Sequence, residues 1–274
     1  MEVNEIRENI ESYFEEILES KENLKFKIKS GAYGHSAGDS IEEILKKNLL
    51  EQGWDAYYTH DFVSKVFSII GPDKDELNSF LDNLWWSKIA IYSKNQLNNF
   101  IKGKDIGTYQ QAGADIVLFY GEDLKKEPEK VILINAKSHN TDRKSRAPNI
   151  ISAQRLLEFC SELITNEDMI NNAEYWFVGI NYSKLDENVA EIEEIYIKDL
   201  FKINVSKISQ INFDAAIQIQ SHVEDMEELE QTKIEFIKDI SELFIVTWKN
   251  HVTKKTEKYE NLIAKINNLL ERYT

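Results

Sequence analysis

The chain predicts an α/β fold, a sheet-bearing core with helical additions at its N- and C-terminal ends. Three observations carry that expectation. Two short, β-branched apolar runs at 115–120 and 131–137 have the length and composition of buried strands. Residues 5–20, 148–164 and 232–273 place apolar side chains at spacings of three and four, the helical period. No internal repeat and no Pro/Ser-rich linker interrupts the 274 residues, so a single domain over 1–274 is expected.

Each element follows from its residues in order. Residues 5–20 read as an amphipathic helix, with Val3, Ile6, Ile10 and Tyr13 along one stripe. Residues 30–39 (S-G-A-Y-G-H-S-A-G-D) read as a glycine-rich loop, and Asp39 or Ser40 caps a helix over 41–51. Residues 54–59 suit a short strand, and 75–100, which carry Trp85 and Trp86, suit a helix. The two apolar runs supply the next strands. Residues 148–164 form a helix with Pro148 in its first turn, where a missing N–H costs nothing. Strands are expected at 174–182 and 191–197, a short helical segment at 214–223, and one or two long helices over 232–273.

Composition narrows the class. With 42% hydrophobic residues and three prolines, this is an ordered globular chain. No apolar run approaches the ~20 residues a bilayer requires. The opening M-E-V-N-E-I-R-E-N-I is charged throughout, unlike a secretory signal. One cysteine, Cys160, permits neither an intrachain disulfide nor a thiolate zinc site, so a reduced, cytoplasmic protein is expected. The net charge of −15 opposes nucleic-acid binding in general, but its distribution is uneven. Positive charge gathers at 25–29 (K-F-K-I-K), at 102–104, and above all at 137–146 (K-S-H-N-T-D-R-K-S-R). A local basic cleft on an acidic protein still grips phosphates, while long-range repulsion shortens non-specific residence.

The most informative stretch runs from Gly113 to Lys137. Asp115 opens one apolar run, and Asn135 and Lys137 close the next, two positions apart. Residues i and i+2 of a strand face the same way, and pairing the runs as a hairpin brings both near Asp115. Were residue 135 an aspartate, this would be the carboxylate–carboxylate–lysine pattern of metal-dependent phosphodiesterases. Taken alone the pattern is weak, because acidic residues often begin strands and lysines often end them. His35 and His222 read as structural, Trp85 and Trp86 as core or interface, and Glu42 as a helix-face carboxylate. No glycine-rich phosphate loop, zinc spacing or nucleophile elbow occurs, which argues against a small-molecule enzyme.

Longer strings raise the specificity. G-H-S-A-G-D-S-I-E (34–42), A-D-I-V-L (114–118), S-R-A-P-N-I-I-S-A-Q-R-L (145–156) and I-N-F-D-A-A-I-Q-I-Q-S-H-V (211–223) occur in that order. In these segments the chain resembles HincII-like type II restriction endonucleases, which share the PD-(D/E)xK nuclease fold. The resemblance covers about two thirds of the chain, and no match is found beyond Val223. It implies a restriction-endonuclease-like core, a mixed central sheet flanked by helices, over about 34–223, with a helical extension over about 230–274.

Carried over by residue, Asp115 matches the first catalytic aspartate and Lys137 the catalytic lysine. Asn135 stands where the family has its second aspartate. The implied cofactor is Mg²⁺, held by Asp115, Asn135 and the Ala136 carbonyl, with Glu42 as an outer-shell contact. Asparagine keeps an oxygen but removes a full negative charge, so metal affinity and water activation are expected to fall. Two accounts of the amide are open: a deliberate substitution that disables a nuclease, or a natural residue in a DNA-binding or altered-metal protein. The first is preferred, because Asp→Asn alters little but charge and the surrounding strings are intact.

The resemblance places Asn149 and Asn212 at base-contacting positions. Arg143, Lys144, Ser145 and Arg146 join them at the DNA, and Gln218 is a further candidate. Amide and guanidinium groups suit this work because they offer paired hydrogen bonds to base edges. Arg146 replaces a glutamine that wedges between bases in relatives, which leaves the central bases of the site open. The implied substrate is double-stranded DNA at a short palindrome of the GT–pyrimidine–purine–AC type, cut at its centre to leave blunt ends. A palindrome implies a homodimer, and a cognate DNA methyltransferase is the implied partner in the cell. Two alternatives stand beside this: a sequence-specific binder that does not cut, and a repair or RNA-directed nuclease of the same fold.

Overall fold

The computed structural model describes residues 3–20, 24–28, 35–58, 114–120, 130–142, 147–208, 210–213 and 217–271. Helix α1 (Val3–Ser20) leads into strand β1 (Lys25–Lys27), helix α2 (His35–Glu51) and strand β2 (Asp55–Tyr58). Strands β3 (Ile116–Tyr120), β4 (Lys130–Asn140) and β5 (Asn149–Ser152) precede helices α3 (Ala153–Thr165) and α4 (Glu167–Asn172). Strands β6 (Ala173–Lys184), β7 (Val189–Asp199), β8 (Gln210–Asn212) and β9 (Gln218–Gln220) follow, and helix α5 (Lys233–Leu270) ends the chain.

A six-stranded sheet in the order β1-β7-β6-β4-β3-β2 forms the centre. Its β4 and β6 run parallel and the other neighbours antiparallel, so the sheet is mixed. Period-two alternation sorts the side chains into two cores. Ile116, Leu118, Ile132, Ile134, Trp176 and Val178 bury one face under α1 and α2, through Ile6, Ile10, Phe14, Ile41, Leu45 and Leu49. Val117, Phe119, Val131, Leu133, Tyr175 and Phe177 bury the other against α3, α5 and the smaller sheet. Strands covered on both faces read as continuous apolar runs, which is why these were legible in sequence.

A second, three-stranded sheet, β5-β9-β8, lies on the α3 and α5 side. It corrects two expectations. Residues 149–152 are a strand, not the first turn of a helix, and α3 starts only at Ala153. The β-branched pair Ile150–Ile151 favours strand, and a bulge between Asn149 and Ile151 turns both isoleucines inward. Residues 218–220 are likewise strand β9, because Gln-Ile-Gln alternates with a period of two.

Two helix boundaries also differ. Helix α2 begins at His35 within the expected glycine-rich loop, so neither Asp39 nor Ser40 is its cap. Ser40 Oγ instead donates to the Lys27 carbonyl at 3.0 Å and ties α2 to β1. The C-terminal segment is one continuous helix opened by a Thr232–Glu235 capping box. The helix expected over 75–100, with Trp85 and Trp86, lies outside the described residues.

Arg7 fastens α1 across the fold, its guanidinium bonding both Glu228 oxygens at 2.8 and 2.9 Å and the Ile197 carbonyl at 2.7 Å. At the start of α5, Lys233 Nζ meets Glu174 at 2.7 Å and the carbonyls of Ile170 and Ala173. Cys160 is buried in α3, and burial pushes its thiol up to about 12, which makes it inert packing.

Candidate active site and recognition face

Strand β4 organises the candidate catalytic residues. The antiparallel β3–β4 register sets Ile116 opposite Ile134, and the Asp115 N–H donates to the Ile134 carbonyl at 2.9 Å. Asp115 therefore meets β4 just before Asn135. Its Oδ2 accepts the Ala136 N–H at 2.8 Å and lies 3.9 Å from Lys137 Nζ. Lys137 Nζ curls back to donate to the Ala136 carbonyl at 3.1 Å. A carboxylate oxygen, a carbonyl oxygen and an ammonium thus converge at one end of the strand. Burial raises the Asp115 carboxyl above its ordinary range, and the Lys137 charge and the Ala136 N–H oppose that shift.

Asn135 is differently engaged. It is only 6% exposed, and its Nδ2 donates to Tyr175 Oη at 2.9 Å and to the Ile150 carbonyl at 3.3 Å. An aspartate can accept from the tyrosine hydroxyl but cannot donate to a carbonyl. The amide nitrogen thus links β4 to the bulge in β5. Glu42 lies half-buried on α2, beside the buried Ile41. Arg143, Lys144, Ser145 and Arg146 lie outside the described residues.

The three-stranded sheet gathers the polar candidates. Asn149 and Gln210 stand opposite Gln220, and Ser152 and Asn212 stand opposite Gln218. Directly paired residues share a face, so four amide-bearing side chains flank the two glutamines' strand or lie on it, and Gln210 completes the row. Gln220 Nε2 donates to Asn149 Oδ1 at 2.8 Å, which orients both amides. The reverse face is apolar: Ile151, Ile211 and Ile219 bury into the core. Gln218 and Gln220 therefore project together, which a helical reading of the segment excluded. Gln210 and Ser152 were not anticipated. The alternation Q-I-N and I-Q-I-Q was the available signal.

The small sheet is joined to the large one near Asp115 and Lys137. Asn135 of β4 donates to the Ile150 carbonyl of β5 at 3.3 Å, and Val223, just after β9, packs on Gly179, the β6 partner of Lys137. The strands that carry the amides are thus tied to β4 and β6 at positions next to Asp115 and Lys137.

Comparison with known proteins identifies the family. The family profile described as Restriction endonuclease HincII matches residues 18–274, extending through the C-terminal residues where sequence reading found no resemblance. The type II restriction enzyme HincII of Haemophilus influenzae is 28% identical over 245 residues, covering 84% of this chain and 88% of that protein. HindII of the Haemophilus influenzae Rd strain, also a type II restriction enzyme, matches with the same identity and coverage. The NlaIV restriction endonuclease structure aligns over 47% of this chain and 51% of its own, at 14% identity and a TM-score of 0.27, too low to add weight. With a matching profile over almost its whole length and a mixed sheet flanked by helices, the chain belongs to the HincII restriction endonuclease family, with the restriction-endonuclease-like α/β fold.

Proposed function

We propose that the protein is a site-specific deoxyribonuclease protomer acting on a short palindromic duplex of the GT–pyrimidine–purine–AC type. The observation that carries this reading is the convergence of Asp115 Oδ2, the Ala136 carbonyl and Lys137 Nζ beside a face of amides. In phosphodiester hydrolysis, water attacks phosphorus in line with the departing 3′ oxygen, and negative charge builds on the phosphoryl oxygens. Lys137 would orient that water and stabilise the charge. Asn149, Asn212, Gln218 and Gln220 would bond base edges in the groove, with Gln220 holding Asn149 in register. Arg143, Lys144, Ser145 and Arg146 would contact the same duplex.

The donor chemistry fits a hard divalent cation incompletely. Asp115 and the Ala136 carbonyl supply oxygens of the type Mg²⁺ prefers, and Asn135 supplies an amide oxygen where a second charge is wanted. Bound there, Mg²⁺ would polarise the phosphate and lower the pKa of its water. Glu42 would add an outer contact. One carboxylate short, this chain would cut slowly or not at all, and an active form would leave blunt ends. A homodimer suits the palindrome, and α5 supplies the surface for it: Tyr259, Leu262, Ile263, Ile266 and Leu269 are apolar and exposed on its C-terminal half. No described helix is long and apolar enough to cross a membrane. A cytoplasmic setting and a cognate methyltransferase complete the proposal.

The second reading, a sequence-specific binder that does not cut, draws on Asn135 itself. Its donation to the Ile150 carbonyl is a bond only the amide makes, so the residue suits its surroundings as it stands. A paired assay separates the readings. The protein and its Asn135→Asp variant are incubated with a mixed plasmid substrate and Mg²⁺, with folding checked by circular dichroism. Discrete fragments from the aspartate variant alone would uphold the nuclease reading and the role of position 135. No cleavage by either, with DNA still retarded on a gel, would leave the binder.

A further inference from the structure

Two residues beyond Lys137 on the same face of β4 stands His139, whose Nδ1 lies 2.7 Å from Glu224 Oε1. His222 Nδ1 lies 3.6 Å from that same oxygen, and the two imidazole rings, tilted by 46° to one another, have centroids 4.8 Å apart. One ligand atom from each of the three residues falls within 4.8 Å of the others. His222 Nδ1 is buried and makes no hydrogen bond, so a polar nitrogen is aimed into this cluster without a donor or acceptor to satisfy it. Such a nitrogen calls for a ligand.

The cluster is held in place by packing independent of its own contacts. Gly179 on β6 pairs with Lys137, and a Cβ there would meet Val223 Cβ at 2.7 Å and Cγ1 at 2.8 Å. Glycine at this point lets the segment after β9 lie down on the sheet. Val223 and Met226 bury beneath it, and the Met226 N–H closes a turn on the Val223 carbonyl at 3.2 Å. His222 and Glu224, flanking the pinned valine, are thereby brought over His139.

We propose that His139, His222 and Glu224 form a binding site for a transition-metal ion of the Zn²⁺ or Co²⁺ class, with a coordination position left open. Bonds of about 2.0–2.1 Å in a tetrahedron separate ligand atoms by about 3.3 Å. The 3.6 Å contact already matches that spacing, and the 2.7 Å contact reaches it by a small side-chain rotation. Two imidazoles with one carboxylate suit first-row transition metals. The oxygen set at Asp115 and Ala136 suits Mg²⁺ instead, so the two sites differ in preference. A metal here would staple the segment following the recognition strand to the catalytic strand. The inference stands on these residues and holds whether or not the chain cuts DNA.

The test uses the full chain, stripped by chelator and titrated with Co²⁺ while its visible d–d absorption is recorded. The expected result is one equivalent bound, displaced by Zn²⁺ but not by a hundredfold excess of Mg²⁺. His139→Ala, His222→Ala and Glu224→Gln should each weaken Co²⁺ binding by tenfold or more, and Asp115→Asn should leave it unchanged. Thermal unfolding of the unsubstituted chain, expected to shift upward with Zn²⁺, reports binding even where a variant fails to fold. Absent Co²⁺ absorption, binding indifferent to the three substitutions, or binding lost in Asp115→Asn would each overturn the proposal. The last would move the ion to the Asp115 site, while failure of the plasmid assay alone would leave this site untouched.

Discussion

Replacing Gly179 by alanine tests how the segment that follows β9 is seated on the sheet. The added methyl would stand 2.7 Å from Val223 Cβ and 2.8 Å from Cγ1, where ordinary carbon contacts are about 3.5–4.0 Å. The near atom is a Cβ, fixed to the backbone, so no rotamer change relieves the clash. Either Val223 lifts by close to 1 Å or β6 bows away from it. Overpacking of this kind costs about 1–3 kcal/mol. At roughly 2–4 °C per kcal/mol for a chain of this size, a drop of about 4–8 °C in Tm is expected for the middle of that range. Val223→Ala removes the contact at Cγ1 but leaves its Cβ at 2.7 Å, so it should rescue Gly179→Ala only in part. The pair should be non-additive, as contacting residues are. Differential scanning calorimetry of the two single variants and the double variant measures this. Since His222 and Glu224 travel with Val223, Co²⁺ affinity should fall alongside stability. A Tm within 1 °C of the parent, with Co²⁺ binding intact, would refute the reasoning.

Two further outcomes follow from buried charge and exposed apolar surface. Asp199 is 6% exposed, and its carboxyl is pushed up to about 6, by burial first and then by the negative Glu174, against the Phe201 N–H and Lys233. Its folded pKa exceeds the unfolded one, so its contribution to stability is full below about pH 4 and is lost as pH rises through about 6. That amounts to about 3 kcal/mol by pH 8. Asp199→Asn keeps the oxygen that accepts from Phe201, so urea unfolding should show it gaining on the parent between pH 4 and 8; a pH-independent difference would contradict this. Leu262→Lys combined with Ile266→Lys changes two exposed side chains of α5, so stability should move by no more than about 0.5 kcal/mol. For the proposed homodimer, sedimentation should shift from dimer to monomer, and a persisting dimer would remove α5 from the interface.

What the sequence revealed depended on burial. Strands β3, β4 and β6 were readable because most of their residues are buried and appear as apolar runs, whereas β7 was readable from apolar residues interleaved with acidic ones. The meeting of Asp115 with Lys137 followed from the parity of paired strands alone. The three-stranded sheet is not legible in the sequence because its strands have three or four residues, too few for periodicity to separate strand from helix. Half of those residues are amides facing outward, which no core pattern marks. The His139–His222–Glu224 cluster was invisible for another reason. His222 and Glu224, at the exit of β9, are 83 and 85 residues from His139 on β4. Only the seating of Val223 on Gly179 brings them together.

The placement of these contacts along β4 bears on how reading and cutting would communicate. Asn135 reaches the bulge of β5, Lys137 lies beside the Gly179–Val223 seat, and His139 reaches Glu224. Three successive positions on one face of β4 thus touch, directly or through a neighbour, the segments that carry Asn149, Gln218 and Gln220. A packed interface of this sort does not stretch continuously; displacement of the amide face must be taken up at these points or resisted by them. In the Asn135→Asp variant the Ile150 link is lost while a carboxylate is gained, so catalytic capacity and mechanical attachment change together. Restoring cleavage by that single substitution would therefore mean that the Val223 seat, the His139–Glu224 contact and the shared core of Ile150, Ile151 and Ile219 hold the two sheets in register without the Ile150 bond.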